Sequence, residues 1–276
     1  MPELPEVENV VRALRPSLVG RTVTGISIHW DRTIGSPDPQ SFTAYLVGER
    51  IRSVGRRGKW IVIGLEGNET LLIHLRMTGR LIWESTGYAE DRYVRVALSL
   101  DDGSCLRFSD QRKFGRLILT DDPSSVLGDL GPEPLSPAFT VDRLARMLAK
   151  RRGRIKPLLL NQRFLAGLGN IYADESLWQA RIHPLRCANT LTPEEVAQLH
   201  AAIRSVLRAA IESGGTSLPD QTYRRPDGEL GSFIEELAAY GREGEPCSRC
   251  GEPIERIRVS QRSTHFCPHC QPAPGT

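Results

Sequence analysis

A chain of 276 residues is long enough to form two domains, each with a core of its own. Its 36 Lys and Arg against 33 Asp and Glu leave a formal charge of +3, too small for the total alone to identify a polyanionic partner. No apolar run approaches the ~18 residues of a membrane span, and the N-terminus has neither the basic nor the apolar region of an export signal, so the expected location is cytoplasmic.

In chain order, Leu4, Val7, Val10, Val11 and Leu14 recur at helical spacing, with Pro5 tolerable in a first turn and Pro16 a stop. The segments VTGISIHW, WIVIGLE, TLLIHLRM, YVRVALSL, CLRFSD and RLILTD follow, rich in β-branched and aliphatic residues and separated by Gly and Asp-Gly turns. They predict an antiparallel sandwich or barrel. Residues 121–140, DDPSSVLGDLGPEPLSPAFT, have the Pro, Ser and Gly content of a domain boundary. Beyond them VDRLARMLAK, IKPLLLNQ and NIYADESLWQA are helical, the last two joined through FLAGLG as a compact helix, turn, helix unit of the kind that docks on DNA. TPEEVAQLHAAIRSVLRAAI opens with a Thr192/Glu195 capping box and Pro193 in first position. The polar SGGTSLPDQTYRRPDGELG then leads to SFIEELAAYG and a cysteine-bearing tail.

Charge distribution says more than the total. Basic residues bunch at 49–60, 149–157 and 255–262, which a phosphate backbone would sense. Cys105 and Cys187 stand alone, whereas Cys247, Cys250, Cys267 and Cys270 form two C-x-x-C pairs. Four thiolates at that spacing suit one tetrahedral Zn²⁺, and with no open ligand position the metal is structural. His265 and His269 lie close by, but the cysteines complete the set. Between the pairs, IERIRVSQRSTHF alternates like two strands about a Gln-Arg-Ser turn that would present Arg262 at its tip.

The first ten residues, MPELPEVENV, carry three carboxylates, Glu3, Glu6 and Glu8. As a helix cap, the acids complement the positive end of the helix dipole. That leaves Pro2 unexplained. A small second residue permits removal of Met1 and exposes a secondary amine, which attacks an aldehyde-level carbon to give an iminium without losing a further proton. Glu3 is placed to supply the proton that opens a sugar ring.

MPELPEVE, GRRGKW (55–60), HLRMTG (74–79), DQRKFG (110–115), LAGLGNIYADE (165–175), GGTS (214–217) and QRSTHFCPHCQ (261–271) together resemble the bacterial formamidopyrimidine-DNA glycosylases. The resemblance implies an α+β fold: an N-terminal helix with an antiparallel β-sandwich over residues 1–133, a helix-two-turns-helix domain over 134–237 and a four-cysteine zinc-finger hairpin over 238–276. It implies a monomeric base-excision-repair enzyme that acts on damaged double-stranded DNA in the cytoplasm, with one structural zinc and no nucleotide cofactor. Oxidised purines such as 8-oxoguanine and formamidopyrimidines would be removed opposite cytosine. In that family the Pro2 amine attacks C1′ to form a Schiff base, Glu3 donates the proton to deoxyribose and Glu6 supports the site. Lys59 assists β-elimination, and Arg262 assists δ-elimination and binds phosphate.

Chemistry on a stacked base requires its extrusion, and the vacated space must be filled. Met77, Arg112 and Phe114 match the family's void-filling set, an apolar wedge with a guanidinium for the orphaned partner base. Asn170 matches a phosphate contact at a helix start, and Arg151, Lys156 and Tyr93 are further phosphate candidates. SGGTSLPDQTY resembles the loop that covers an everted 8-oxoguanine. Gln111 and Lys113 replace the commoner Pro and Arg, and Arg76 stands where Gly is frequent; opposite-base preference is the property these touch. The alternatives are an endonuclease VIII-like enzyme for oxidised pyrimidines, and a non-catalytic zinc-finger lesion binder that needs none of Pro2, Glu3 or Lys59.

Overall fold

The computed structural model describes residues 1–85, 91–219 and 223–273. Its contacts divide the chain into two compact units, Met1–Asp129 with Ser213–Ile234, and Leu130–Glu212 with Glu235–Thr276.

In the first unit, helix α1 (Leu4–Leu18) buries Leu4, Val7, Val10, Val11, Leu14 and Leu18, the stripe that the 3.6-residue period sets out. Pro16 does not stop the helix, contrary to expectation. Only one amide is lost that near the C-terminus, and burial of Leu14 and Leu18, with the Arg15 Nε bond to the Val54 carbonyl (2.9 Å), holds the last turn in place.

Strands β1 (Val23–Ile28) and β2 (Ile34–Ser36), helix α2 (Pro39–Leu46), β3 (Ile51–Arg57), β4 (Trp60–Leu65), β5 (Thr70–His74), β6 (Gly79–Glu84), β7 (Val94–Leu100), β8 (Cys105–Asp110), β9 (Arg116–Thr120) and the short α3 (Ser124–Leu127) follow. The described strands form one sheet ordered β1-β7-β8-β6 and another ordered β2-β9-β5-β4-β3. Every pairing is antiparallel except β2 with β9. Ile61, Ile63, Leu71 and Ile73 of one sheet and Leu81, Val96, Leu98, Leu106 and Phe108 of the other share one buried core, which makes the pair a sandwich.

Ser213–Ile234 groups with this unit, not with the helices before it, so the linear division at 133 and 237 does not describe the observed contacts. The reason is specific. Tyr223 lies in the sandwich core, its hydroxyl donating to the Gly214 carbonyl (3.0 Å), and the Thr216 N–H donates to the Glu6 carboxylate of α1 (2.8 Å).

The second unit holds α4 (Val141–Ala149), α5 (Ile155–Leu160), α6 (Asn170–Gln179), α7 (Pro193–Glu212) and the hairpin of β10 (Glu255–Val259) and β11 (Arg262–Phe266). The capping box at α7 is reciprocal: the Thr192 N–H donates to Glu195 Oε2 (2.8 Å) and the Glu195 N–H to Thr192 Oγ1 (3.3 Å). The α5–α6 turn is closed by Gln162, which donates to the Leu160 and Leu168 carbonyls (3.0 and 2.7 Å) and accepts from the Gly167 N–H (2.9 Å). No helix among the described residues is long and apolar enough to cross a membrane.

Gly231 is where two backbones touch: an added Cβ would lie 2.2 Å from the Gly215 carbonyl oxygen and 2.6 Å from that of Gly214. Gly231→Ala is expected to destabilise the protein by about 1–3 kcal/mol, measured by urea unfolding.

Candidate active site

Pro2 and Glu3 are buried just ahead of α1. Glu6, itself buried, accepts the Glu3 N–H through Oε2 (2.8 Å) and the Thr216 N–H through Oε1 (2.8 Å), so one carboxylate fixes both the N-terminal dipeptide and the GGTS loop. Two residues on, Glu8 pairs with Arg12 (2.9 Å) and Arg56 (3.1 Å). Burial pushes the Glu8 carboxyl up, but these guanidinium bonds outweigh it and hold the group below the usual range. Arg56 also donates to the Gly58 carbonyl (3.0 Å), tying α1 to the hairpin turn that carries Lys59.

That turn has two residues, Gly58 and Lys59, between paired Arg57 and Trp60, and Gly58 supplies the positive φ (57°) such a turn requires. Lys59 is buried, not the solvated strand-edge charge that a lysine in a basic run ordinarily is. Near it on β5 is His74, edge-on to the Trp60 ring with centroids 4.8 Å apart. Burial foremost, then the positive charges of Arg76 and Lys59, depress the His74 pKa from 6.5 to about 3. The ring is neutral, and Nδ1 accepts the Arg76 N–H (3.0 Å), which leaves the proton on Nε2.

The expected void-filling residues sit on adjoining loops. Met77 is half-buried in the β5–β6 turn; Phe114 is 49% exposed in the β8–β9 loop with the Arg112 guanidinium 5.1 Å from its ring centroid. A Phe this exposed on a short loop is unusual for a core residue. Tyr93, half-buried, accepts a hydrogen bond from Arg92 (2.6 Å), and Arg92 and Arg95 lie over its ring at 4.8 and 5.9 Å. The GGTS loop is anchored to α1 and Tyr223 as described, and residues 220–222 of the expected covering segment lie outside the described residues.

In the second unit, Asn170 is the first residue of α6, and its Nδ2 donates to the Ser263 carbonyl (2.9 Å) beside Arg262. Arg262 is exposed, but the turn before it is not Gln-Arg-Ser. Ser260 and Gln261, at φ 47° and 62°, form a two-residue turn, and Arg262 is the first residue of β11, paired with Val259. Arg151 is exposed. Lys156, expected at a phosphate, is 0% exposed: Nζ meets Asp174 (2.6 Å), the Ser263 carbonyl (2.8 Å) and Thr264 Oγ1 (2.9 Å). It cannot reach a phosphate. The lysine neutralises Asp174, whose other oxygen accepts the His265 N–H (3.0 Å), and so fastens the hairpin to α6.

Glu175, next on α6, accepts the N–H groups of Ala238, Ala239 and Tyr240 (2.9, 2.9 and 2.7 Å); burial raises its pKa although these bonds oppose the rise. The sulfurs of Cys247, Cys250, Cys267 and Cys270 all lie within 4.8 Å of one another, with close pairs at 3.5–4.0 Å. A tetrahedron of sulfurs about 2.3 Å from zinc has edges of roughly 3.8 Å, so the cluster fits one structural Zn²⁺.

Three family descriptions match in order: the formamidopyrimidine-DNA glycosylase N-terminal domain over residues 1–117, the H2TH domain of the same enzymes over 130–222, and the zinc finger found in FPG and IleRS over 244–273. The formamidopyrimidine-DNA glycosylase of Chloroflexus aurantiacus is 51% identical over 274 residues, 98% of each chain, and that of Herpetosiphon aurantiacus 49% identical over 98% of this chain and all of the other. The crystal structure of the MutM (Fpg) protein from Thermus thermophilus superposes with a TM-score of 0.89 at 45% identity, covering 98% of each chain. A Lactococcus lactis Fpg mutant in complex with Fapy-dG containing DNA does so at 0.91 and 35% identity, over 99% of this chain and all of the other. The fold is thus that of a DNA-repair glycosylase with a zinc-stapled hairpin. The chain belongs to the formamidopyrimidine-DNA glycosylase family.

Two measurements test this geometry. The folded His74 pKa lies below the unfolded one, so the unfolded chain takes up a proton at His74 that the folded chain refuses. The resulting stability is complete above pH 6.5 and lost as pH falls toward about 3; in urea unfolding, His74→Gln should flatten the stability profile across that window. Chelation should release one zinc per chain and remove hydrogen-exchange protection from β10 and β11, while the sandwich strands keep theirs.

Proposed function

We propose that this chain, a DNA glycosylase and abasic-site lyase of base excision repair by family, performs both steps through the imino group that removal of Met1 exposes on Pro2. The nitrogen attacks C1′ of the damaged deoxynucleotide, the bond to the base breaks with its electrons leaving on the base, and the amine's N–H proton passes to the departing base. A proton from Glu3 to the ring oxygen opens the deoxyribose, giving an iminium between Pro2 and C1′. Loss of a C2′ proton then expels the 3′-phosphate, and a second elimination expels the 5′-phosphate. Lys59 assists the first elimination and Arg262 binds phosphate and assists the second. The observation that carries this reading is Glu6. It holds the backbone of Glu3 and of Thr216 at once, so nucleophile, acid and GGTS loop share one anchor.

Oxidised purines, 8-oxoguanine and formamidopyrimidines, opposite cytosine are the substrates in this reading. Met77 and Phe114 open the step and Arg112 pairs with the orphaned base. Tyr93, Asn170 and Arg151 contact phosphates of the damaged duplex. The enzyme acts as a monomer in the cytoplasm and reaches the nucleoid through its DNA. That solved relatives are complexes of Fpg with DNA containing Fapy-dG or an abasic site supports the substrate class.

Borohydride should trap a covalent adduct between the mature protein and an 8-oxoguanine duplex, and Pro2→Gly should reduce trapping by at least ~10²-fold. Full trapping by Pro2→Gly, or preference for thymine glycol over 8-oxoguanine, would refute the proposal.

A further inference from the structure

We propose that Asp110 is the positioning residue of the void-filling apparatus, setting Met77, Arg112 and Phe114 in register before DNA arrives. The proposal rests on the assignment of those three residues above. Asp110 ends β8 opposite Gly79, the first residue of β6, so it sits where the two loops leave the sheet. Its residue is 1% exposed. Oδ1 accepts the Thr78 hydroxyl and the Arg112 N–H (3.2 Å); Oδ2 accepts the Gly115 N–H (2.7 Å). Thr78 Oγ1 in turn accepts from the same Arg112 N–H (3.1 Å). One carboxylate thereby grips the residue after Met77 and both ends of the segment that carries Arg112 and Phe114. Through its main chain Asp110 donates to the Tyr93 carbonyl (2.9 Å) and accepts from Arg95 Nε (2.9 Å).

Two features argue for a geometric role. Among the described residues no cation pairs with the Asp110 carboxylate; its partners are a hydroxyl and two backbone amides, so the group does not serve charge balance. A buried anion held only by neutral donors is a costly choice, and it is needed here because three donors converge and only a carboxylate accepts at both oxygens. Second, each loop holds a non-glycine residue in the left-handed region beside a tip residue, Arg76 at φ 54° before Met77 and Lys113 at φ 61° between Arg112 and Phe114. Such conformations persist when the surroundings over-determine them: Asp110 holds the amides on both sides of Lys113, and Arg76 lies between its own bond to His74 Nδ1 (3.0 Å) and the Asp110 grip on Thr78. An added Cβ at Gly115 would meet Phe108 Cζ at 2.3 Å, so the loop is also seated tightly on the core beneath. A wedge ordered in advance loses less entropy on insertion, and a guanidinium so placed meets the partner base at a defined angle.

The experiment compares wild type, Asp110→Asn, Thr78→Val and Thr78→Ser in single-turnover excision of 8-oxoguanine opposite dC and opposite dA, with 2-aminopurine fluorescence beside the lesion reporting wedge insertion. Asp110→Asn turns an amide toward a donor, and Thr78→Val removes the bridging hydroxyl without altering charge. Both should lower the dC-to-dA rate ratio about fivefold or more, the lower end of what one aligned base contact is worth, and slow the fluorescence phase. Thr78→Ser should restore both. Equal slowing opposite dC and dA, or an unchanged ratio in Thr78→Val, would overturn the proposal even where Asp110→Asn fails to fold. Failure of the wild type to form a borohydride-trapped adduct would instead overturn the catalytic reading.

Discussion

The first unit turns on a carboxylate buried one turn into its N-terminal helix. Glu6 takes the amide of Glu3 on one oxygen and that of Thr216 on the other, residues 210 positions apart in the case of Glu6 and Thr216. A chain terminus is ordinarily the least ordered part of a fold. Here it is held by an acceptor that loses solvation on burial and is satisfied only while both donors stay in place. The proposed chemistry depends on that condition, because an amine nucleophile contributes little if its approach to C1′ is not fixed. The Glu8–Arg56–Gly58 chain extends the constraint to the turn bearing Lys59.

The second unit uses the same device along α6. Asn170, Asp174 and Glu175 lie on the turns of one helix and grip, respectively, the Ser263 carbonyl, the His265 amide with Lys156, and the amides of 238–240. Asp174 and Glu175 are buried and Asn170 half-buried, each with specific partners, which specifies one arrangement where apolar contact would tolerate several. The zinc closes the base of the hairpin and α6 fixes its flank, so Arg262 is presented by a doubly anchored strand.

Much is legible in the sequence because it rests on local rules. The apolar stripe of α1, the Thr192/Glu195 box, the strand-rich first half and the paired C-x-x-C spacing each depend on residues a few positions apart. Pro16 and the hairpin turn mislead at the same local level: buried Leu18 outweighs a single missing amide, and Ser260 and Gln261 both adopt the left-handed conformation that a two-residue turn demands. Lys156 misleads because a lysine in a basic run reads as solvated, and nothing local announces that Asp174, eighteen positions on, will neutralise it. His74, Asp110 and Glu175 carry no signal as organising residues, since Trp60 with Lys59, Thr78 and the amides of 238–240 reach them from other elements.

What the sequence determined alone was therefore α1, the long helices of the second unit, most strands of the sandwich though not β2, β3 or β6, the metal-binding thiols and, through several ordered motifs, the family. Only the tertiary structure decided that Ser213–Ile234 returns to the first unit, that Lys59 and His74 are buried neighbours and that Asp110 joins two loops. The physical reason is the same throughout. Local propensity and spacing act over a few residues, whereas the burial of a charge or a carboxylate is settled by partners brought from far along the chain, and it exists only once the chain has folded.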